Sequence, residues 1–160
     1  MSQAALGSSA IGQGKVLATP LELASISQTI AAGGMRSPTP LVTDHGMGPD
    51  AKPVKVTSPQ TAATVRDLMV QVVVQGTGQS AALPNIQVAG KTGTAELGSK
   101  PFSAEGEQGD GEQKVDAWFT SFAPAGSPRL AVAVMVVNAD GDGGTVAAPI
   151  AREVLASGLG

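Results

Sequence analysis

Val88-Ala89-Gly90-Lys91-Thr92-Gly93-Thr94-Ala95-Glu96 is the stretch whose reading decides the fold. It is entered through Ile86-Gln87 and left through a small residue, and its two glycines interrupt any helical pattern. In an extended conformation it suits the edge of a sheet, with glycine marking a place where another backbone comes close. A rival reading takes Gly90-Lys91-Thr92 as the end of a phosphate-binding loop. That pattern requires a further glycine five residues before Gly90, where this chain has Asn85. A phosphate loop also runs from its Lys-Thr straight into a helix, so that backbone N–H groups converge on the anion. Gly93-Thr94 follows here and breaks that helix start.

Working outward, the periodicity stays extended downstream. Residues 86–96, 115–123 and 129–138 read as three strands, the last two joined by a Pro-Ala-Gly-Ser-Pro turn at 124–128 short enough to make them antiparallel. Leu130 to Val137 is apolar on both faces, which predicts a covered inner strand. Upstream, Thr19-Pro20-Leu21-Glu22 combines an N-cap, a proline in the first turn and a capping-box glutamate. A helix is predicted over 19–33, with Leu23, Ile26 and Ile30 as its apolar face and Gly33-Gly34 as its left-handed stop. Ser58-Pro59 repeats the grammar for a helix over 58–75, with Ala62, Val65, Met69 and Val72 on one face. Between these helices Pro38, Pro40, Pro49 and Pro53 punctuate short apolar runs, consistent with an irregular excursion or a small hairpin. Pro149 opens a last helix over 148–157 through Ile150, Val154 and Leu155, with Gly158 as the expected terminator.

Composition bounds the remaining choices. The 160 residues suffice for one domain or a large part of one, with an aliphatic core, since 42% are hydrophobic but only Trp118 and three Phe are aromatic. The 21 Gly and 11 Pro imply many turns, which suits a mixed domain better than a helical bundle. A formal net charge of −3 with scattered charges provides no footprint for nucleic acid and no polybasic membrane patch. No run approaches the roughly 18 apolar residues of a spanning helix, and the first residues form neither a signal nor an anchor, so export is expected to be encoded elsewhere. The absence of cysteine excludes disulfides, thiolate catalysis and zinc ribbons.

Five stretches in order define the chain further: Ser9-Ala10-Ile11-Gly12-Gln13-Gly14 leading to Thr19-Pro20-Leu21-Glu22-Leu23-Ala24; Ala31-Ala32-Gly33-Gly34; Val73-Val74-Gln75-Gly76-Thr77-Gly78; Val88 to Glu96; and Ala117-Trp118-Phe119-Thr120-Ser121-Phe122-Ala123-Pro124. Together they resemble the class B penicillin-binding proteins, the monofunctional transpeptidases of bacterial cell-wall synthesis. The resemblance implies an α+β architecture, the C-terminal half of the serine β-lactamase/D,D-peptidase fold, with helices packed on an antiparallel sheet. It also implies a location on the extracytoplasmic face of the cell membrane. A β-lactamase fragment fits less well, because the Thr-Pro-Leu-Glu helix start and the Gly-Thr-Gly stretch look like transpeptidase features.

The chemistry of the motif suits that role. An edge strand presents unpaired backbone groups, alongside which a stem peptide ending in D-Ala-D-Ala, or a β-lactam mimicking it, can lie as an added strand. Lys91 would supply positive charge, Thr92 and Thr94 hydroxyls for the ligand carboxylate, and Gly93 room for close approach. By resemblance, the backbone N–H of Thr94 forms half of an oxyanion hole, and losing one such donor costs on the order of 100- to 1,000-fold in rate. The other half belongs to a nucleophilic serine heading a Ser-x-x-Lys turn, with a Ser-x-Asn triplet opposite. Three residues before Lys15, Lys52, Lys55, Lys91, Lys100 and Lys114 stand Gly12, Pro49, Lys52, Val88, Leu97 and Gly111. Two before Asn85 and Asn138 stand Leu83 and Val136. The chain is therefore expected to carry half an active site and to be inactive alone. The N-terminal part of a transpeptidase domain is its expected partner, with no metal or organic cofactor.

Other features have plainer readings. His45, beside Asp44, is expected to be a solvent-facing loop residue. Asp140-Gly141-Asp142-Gly143 starts like a calcium loop but lacks its later ligands, so a strand-to-helix turn is expected. Gly98 to Lys114 reads as a mobile solvated loop. Gln13 and Gly14 receive a structural role. Two alternatives remain open: a non-catalytic peptide- or β-lactam-binding module, and a complementing half of a split enzyme.

Overall fold

The computed structural model describes residues 2–10, 12–13, 16–39, 52–96 and 115–160. His45, Gly14, Lys15 and the Gly98–Lys114 segment lie outside them. Among the described residues four α-helices, α1 (Gln3–Ala10), α2 (Pro20–Ala31), α3 (Pro59–Val74) and α4 (Ala148–Leu159), accompany five strands, β1 (Met35–Arg36), β2 (Val54–Lys55), β3 (Ala89–Glu96), β4 (Val115–Ala123) and β5 (Leu130–Ala139). The short β1 and β2 pair antiparallel with each other, while β3, β4 and β5 form one antiparallel sheet in that order.

The pleat of β4 separates two apolar layers. Ala117, Phe119 and Ala123 point to a cluster with Val132, Ala148, Ala151 and Leu155, which buries α4 against one face. Phe122 points to the other face, where Ala89, Met69 and Val70 close around it with Ile30 and Val65 at the margin. Here α2 and α3 cover the sheet, and α3 runs along β3 so that its Val73 reaches the first cluster.

Helix α2 starts as its sequence dictates: Glu22 N–H donates to Thr19 Oγ1 at 3.2 Å while Thr19 N–H donates to the Glu22 carboxylate at 2.7 Å. It stops at Gly33, φ +65°, with Gly34 N–H donating to Thr29 O and Gly33 N–H to Ile30 O, the two bonds of a Schellman stop. Its buried face differs from the expected one. Ser25, Ser27 and Thr29 are buried, whereas Ile26 is 53% exposed and Leu23 and Ile30 only half-buried. The reason is a hydroxyl seam: Ser27 Oγ lies 2.6 Å from Thr120 Oγ1, which also donates to Leu23 O at 3.1 Å. Small polar side chains let α2 approach β4 closely; Ser27 is partnered by Thr120 and Thr29 Oγ1 donates to Ser25 O at 2.7 Å, while the buried Ser25 Oγ has no partner among the described residues.

Three further differences have local causes. Strand β5, expected as an inner strand, pairs with β4 alone among the described residues, and its two apolar faces meet α2 on one side and α4 on the other. Gly158 does not end α4, which runs to Leu159; a β-carbon at Gly158 would stand 2.5 Å from Leu130 Cδ2, so packing rather than termination explains the glycine. The strand expected from 86 begins at Ala89, since Ile86 is engaged in an isolated bridge to Leu83. Helix α1 had no counterpart in the sequence reading, and no described helix is long and apolar enough to cross a membrane.

Candidate active-site strand

Among the described residues strand β3 pairs with β4 on one side only, which leaves its other edge open there. Cross-strand partners share a face. Lys91 opposite Thr120 and Gly93 opposite Trp118 therefore lie on the α2 side of the sheet, while Thr92 opposite Phe119 and Thr94 opposite Ala117 lie on the α4 side. The motif thus brings its lysine and its two hydroxyls to the same edge but from opposite flanks. An extended ligand along that edge would run between them.

On the α2 side a groove of about 440 Å³ follows the strand, bounded by Gln13, Val16, Leu17, Lys91, Gly93 and Trp118 among others. Lys91 is exposed, and its ammonium donates to Thr92 O at 2.7 Å. Gln13 Nε2 donates to Thr94 O at 3.0 Å, across 81 residues of sequence. That carbonyl therefore points away from β4. In an antiparallel strand the N–H and C=O of one residue point to the same side, so the Thr94 N–H also faces the open edge.

The opposite side of β3 is braced. Thr92 Oγ1 lies 2.7 Å from Thr77 Oγ1, in the turn that follows α3. Residues Gly143–Ala147 form one π turn ahead of α4, capped by Asp142, whose Oδ1 accepts from Gly144 N–H at 2.8 Å and Thr145 N–H at 2.9 Å. The Thr145 N–H above all holds the Asp142 carboxyl below the usual carboxylate range. A β-carbon on Gly144 would overlap the Thr77 carbonyl oxygen, and one on Gly143 would overlap that of Trp118. Gly90 has an analogous role, since a side chain there would enter the buried Phe119 ring. The sequence singles out Lys91, Thr92, Gly93 and Thr94, all on β3, but gives Thr77, Gly143 and Gly144 no place beside them. The Gly-Thr-Gly and Gly-Asp-Gly-Gly runs carried that signal, as backbones built for close approach.

The Lys-Thr-Gly-Thr run thus lies within a sheet-edge strand, flanked by a groove on one face and braced on the other. The family model for the penicillin binding protein transpeptidase domain matches residues 2–156, and the chain belongs to that family. It is 41% identical to the peptidoglycan D,D-transpeptidase PbpA of Mycolicibacterium smegmatis, over 98% of this chain and 32% of that protein. The ceftriaxone acyl-enzyme complex of penicillin-binding protein A from M. tuberculosis superposes with a TM-score of 0.80 at 38% identity, covering 99% of this chain and 36% of that one. The crystal structure of PBPA from M. tuberculosis gives a TM-score of 0.77, also at 38% identity, with coverage of 99% and 36%. The chain thus spans about a third of the length of these relatives.

Proposed function

We propose that this chain supplies the substrate-binding strand of a peptidoglycan D,D-transpeptidase, and that the acylated serine comes from residues other than these. In the complete site the serine hydroxyl attacks the carbonyl of the penultimate D-Ala of a stem peptide while its proton passes to a neighbouring lysine. The tetrahedral oxyanion is held by the Thr94 N–H and the serine's own N–H. The peptide bond breaks, D-Ala leaves with the proton, and the acyl-serine bond remains. The amine of a second stem peptide then displaces the serine, which closes the cross-link. Lys91 provides positive charge for the ligand, the Thr92 and Thr94 hydroxyls suit its terminal carboxylate, and Gly93 lets the ligand lie close. A β-lactam follows the same path as far as the acyl-enzyme.

The observation that carries this reading is the outward Thr94 peptide on the open edge of β3, in a chain of this family. No Ser-x-x-Lys pair occurs in the 160 residues, so the chain by itself is expected to neither turn over nor label covalently. With peptidoglycan as the proposed substrate, the proposal includes a location on the extracytoplasmic face of the membrane. The test is fluorescent penicillin labelling of this chain alone and mixed with a transpeptidase segment that carries Ser-x-x-Lys. Labelling of the second segment only in the mixture supports the proposal. Labelling of this chain alone would overturn the missing-nucleophile assignment, and silence in both would favour a non-catalytic binding module.

A further inference from the structure

Gln13 reaches Thr94 because of how α1 ends. Gln13 N–H donates to Ser8 O at 2.9 Å and Gly12 N–H to Ser9 O at 3.1 Å, again the two bonds of a Schellman stop. Gly12 stands at φ +76°, a conformation glycine adopts without the penalty a β-carbon would bring. This stop turns the chain out of the helix axis and directs the residue after the glycine across the groove. Its carboxamide meets the Thr94 carbonyl oxygen at 3.0 Å.

We infer that Gln13 is a positioning residue for the oxyanion donor, acting through the Thr94 main chain. This inference rests on the transpeptidase reading. An edge-strand residue leaves two polar groups without a ladder partner, and a strand free on one side is held in place less firmly than one paired on both. Gln13 supplies a donor to one of the two, the carbonyl. It thereby ties the open edge of β3 to the end of a helix and leaves the Thr94 N–H, aimed outward, without a partner among the described residues. Preorganisation of this kind acts on the transition state, because the oxyanion forms only there. The side chain type matters as much as its reach: a carboxamide nitrogen donates to a carbonyl, whereas a carboxylate of the same shape only accepts and would repel it.

The experiment uses the complete transpeptidase that contains this chain, with a fluorescent penicillin as the probe. The saturating acylation rate and the half-saturating concentration are measured separately. Gln13→Ala and the isosteric Gln13→Glu are both expected to lower the rate by about 10- to 100-fold, with little change in half-saturation. Gln13→Lys, which restores a donor, is expected to recover more of the rate than Gln13→Glu. Gly12→Ala, which strains the helix stop, should reproduce part of the loss. An unchanged or faster rate in Gln13→Ala overturns the inference, as does an effect confined to half-saturation, which would make Gln13 a ligand contact or a competitor for the strand. Melting curves on each variant exclude loss of fold; because Gln13→Glu preserves shape, a rate loss in a variant with unchanged Tm supports the positioning role. A wild-type enzyme that fails to label would overturn the underlying transpeptidase reading, whereas labelling of wild type and variants alike sinks only the role of Gln13.

Discussion

Gly143 is seated against the backbone of Gly93: a β-carbon on Gly143 would stand 2.6 Å from the Gly93 carbonyl oxygen and 3.0 Å from its nitrogen. The π turn behind the sheet thus fixes the height of β3 at the residue before Thr94. Backbone cannot rotate aside as a side chain can, so the smallest substitution must displace either the turn or the strand. Gly143→Ala is expected to cost about 1 to 3 kcal/mol of stability, read as a fall in Tm. Penicillin labelling of the complete enzyme should fall as well. A variant with the wild-type Tm would show that the turn yields freely and braces nothing.

The seam between α2 and β4 predicts a reversal of what hydropathy suggests. Ser27 is fully buried against Thr120, whereas Ile26 is more than half exposed. On this chain, Ser27→Ala should cost about 0.5 to 1.5 kcal/mol through the lost hydroxyl pair, while Ile26→Ser should stay within about 0.5 kcal/mol of wild type. Denaturant melts of the two variants separate the cases. If Ile26→Ser is the more damaging, α2 packs through its apolar residues after all.

That reversal also marks how far the sequence could be read. Local chemistry was legible: Thr19 with Glu22, Ser58 with Pro59 and the Gly33 stop act through neighbours in the chain, and the Lys91–Thr94 motif declares itself through residue type. The face of α2 was not, because it depends on a partner 93 residues away at Thr120, and short serines can be buried once a hydroxyl meets them. Gln13 was opaque for the same reason, its target Thr94 lying 81 residues on. Gly158 looked like a stop because glycine ends helices; only the nearness of Leu130 gives it another cause.

Two carboxylates set a pH dependence. Glu22 lies below its ordinary pKa chiefly through the Thr19 backbone N–H and then the Thr19 hydroxyl, and Asp142 through the Thr145 N–H first. A depressed folded-state pKa contributes stability that is present above the unfolded value, about 4 for such groups, and is lost as pH falls through the folded one. Stability should therefore rise between about pH 2 and pH 5. In the double variant Glu22→Gln, Asp142→Asn that rise should be shallower, with the two proteins converging at the acid end. Both carboxylates are exposed, so salt should mute the long-range part while leaving the capping bonds. Thermal melts across this pH range check it, and parallel curves would remove both groups from the account.

Thr77 gives the site a contact that should act on binding rather than on rate. Its hydroxyl lies 2.7 Å from that of Thr92 and away from the open edge, whose peptide is tied to Gln13. If Thr92 turns its proton toward a ligand carboxylate, its oxygen is left to accept, and Thr77 is placed to donate to it; two hydroxyls in series polarise one another. Thr77→Val removes the donor at nearly constant shape. One hydrogen bond of about 0.5 to 1.5 kcal/mol corresponds to a roughly two- to twelve-fold higher half-saturating penicillin concentration in the complete enzyme. The saturating acylation rate should hold, because the carboxylate is bound equally in ground and transition states. Thr77→Ser should behave as wild type. Should the rate fall instead, Thr77 would belong with Gln13 and Gly143 among the residues that place the strand, and Thr92 would owe its orientation to something else.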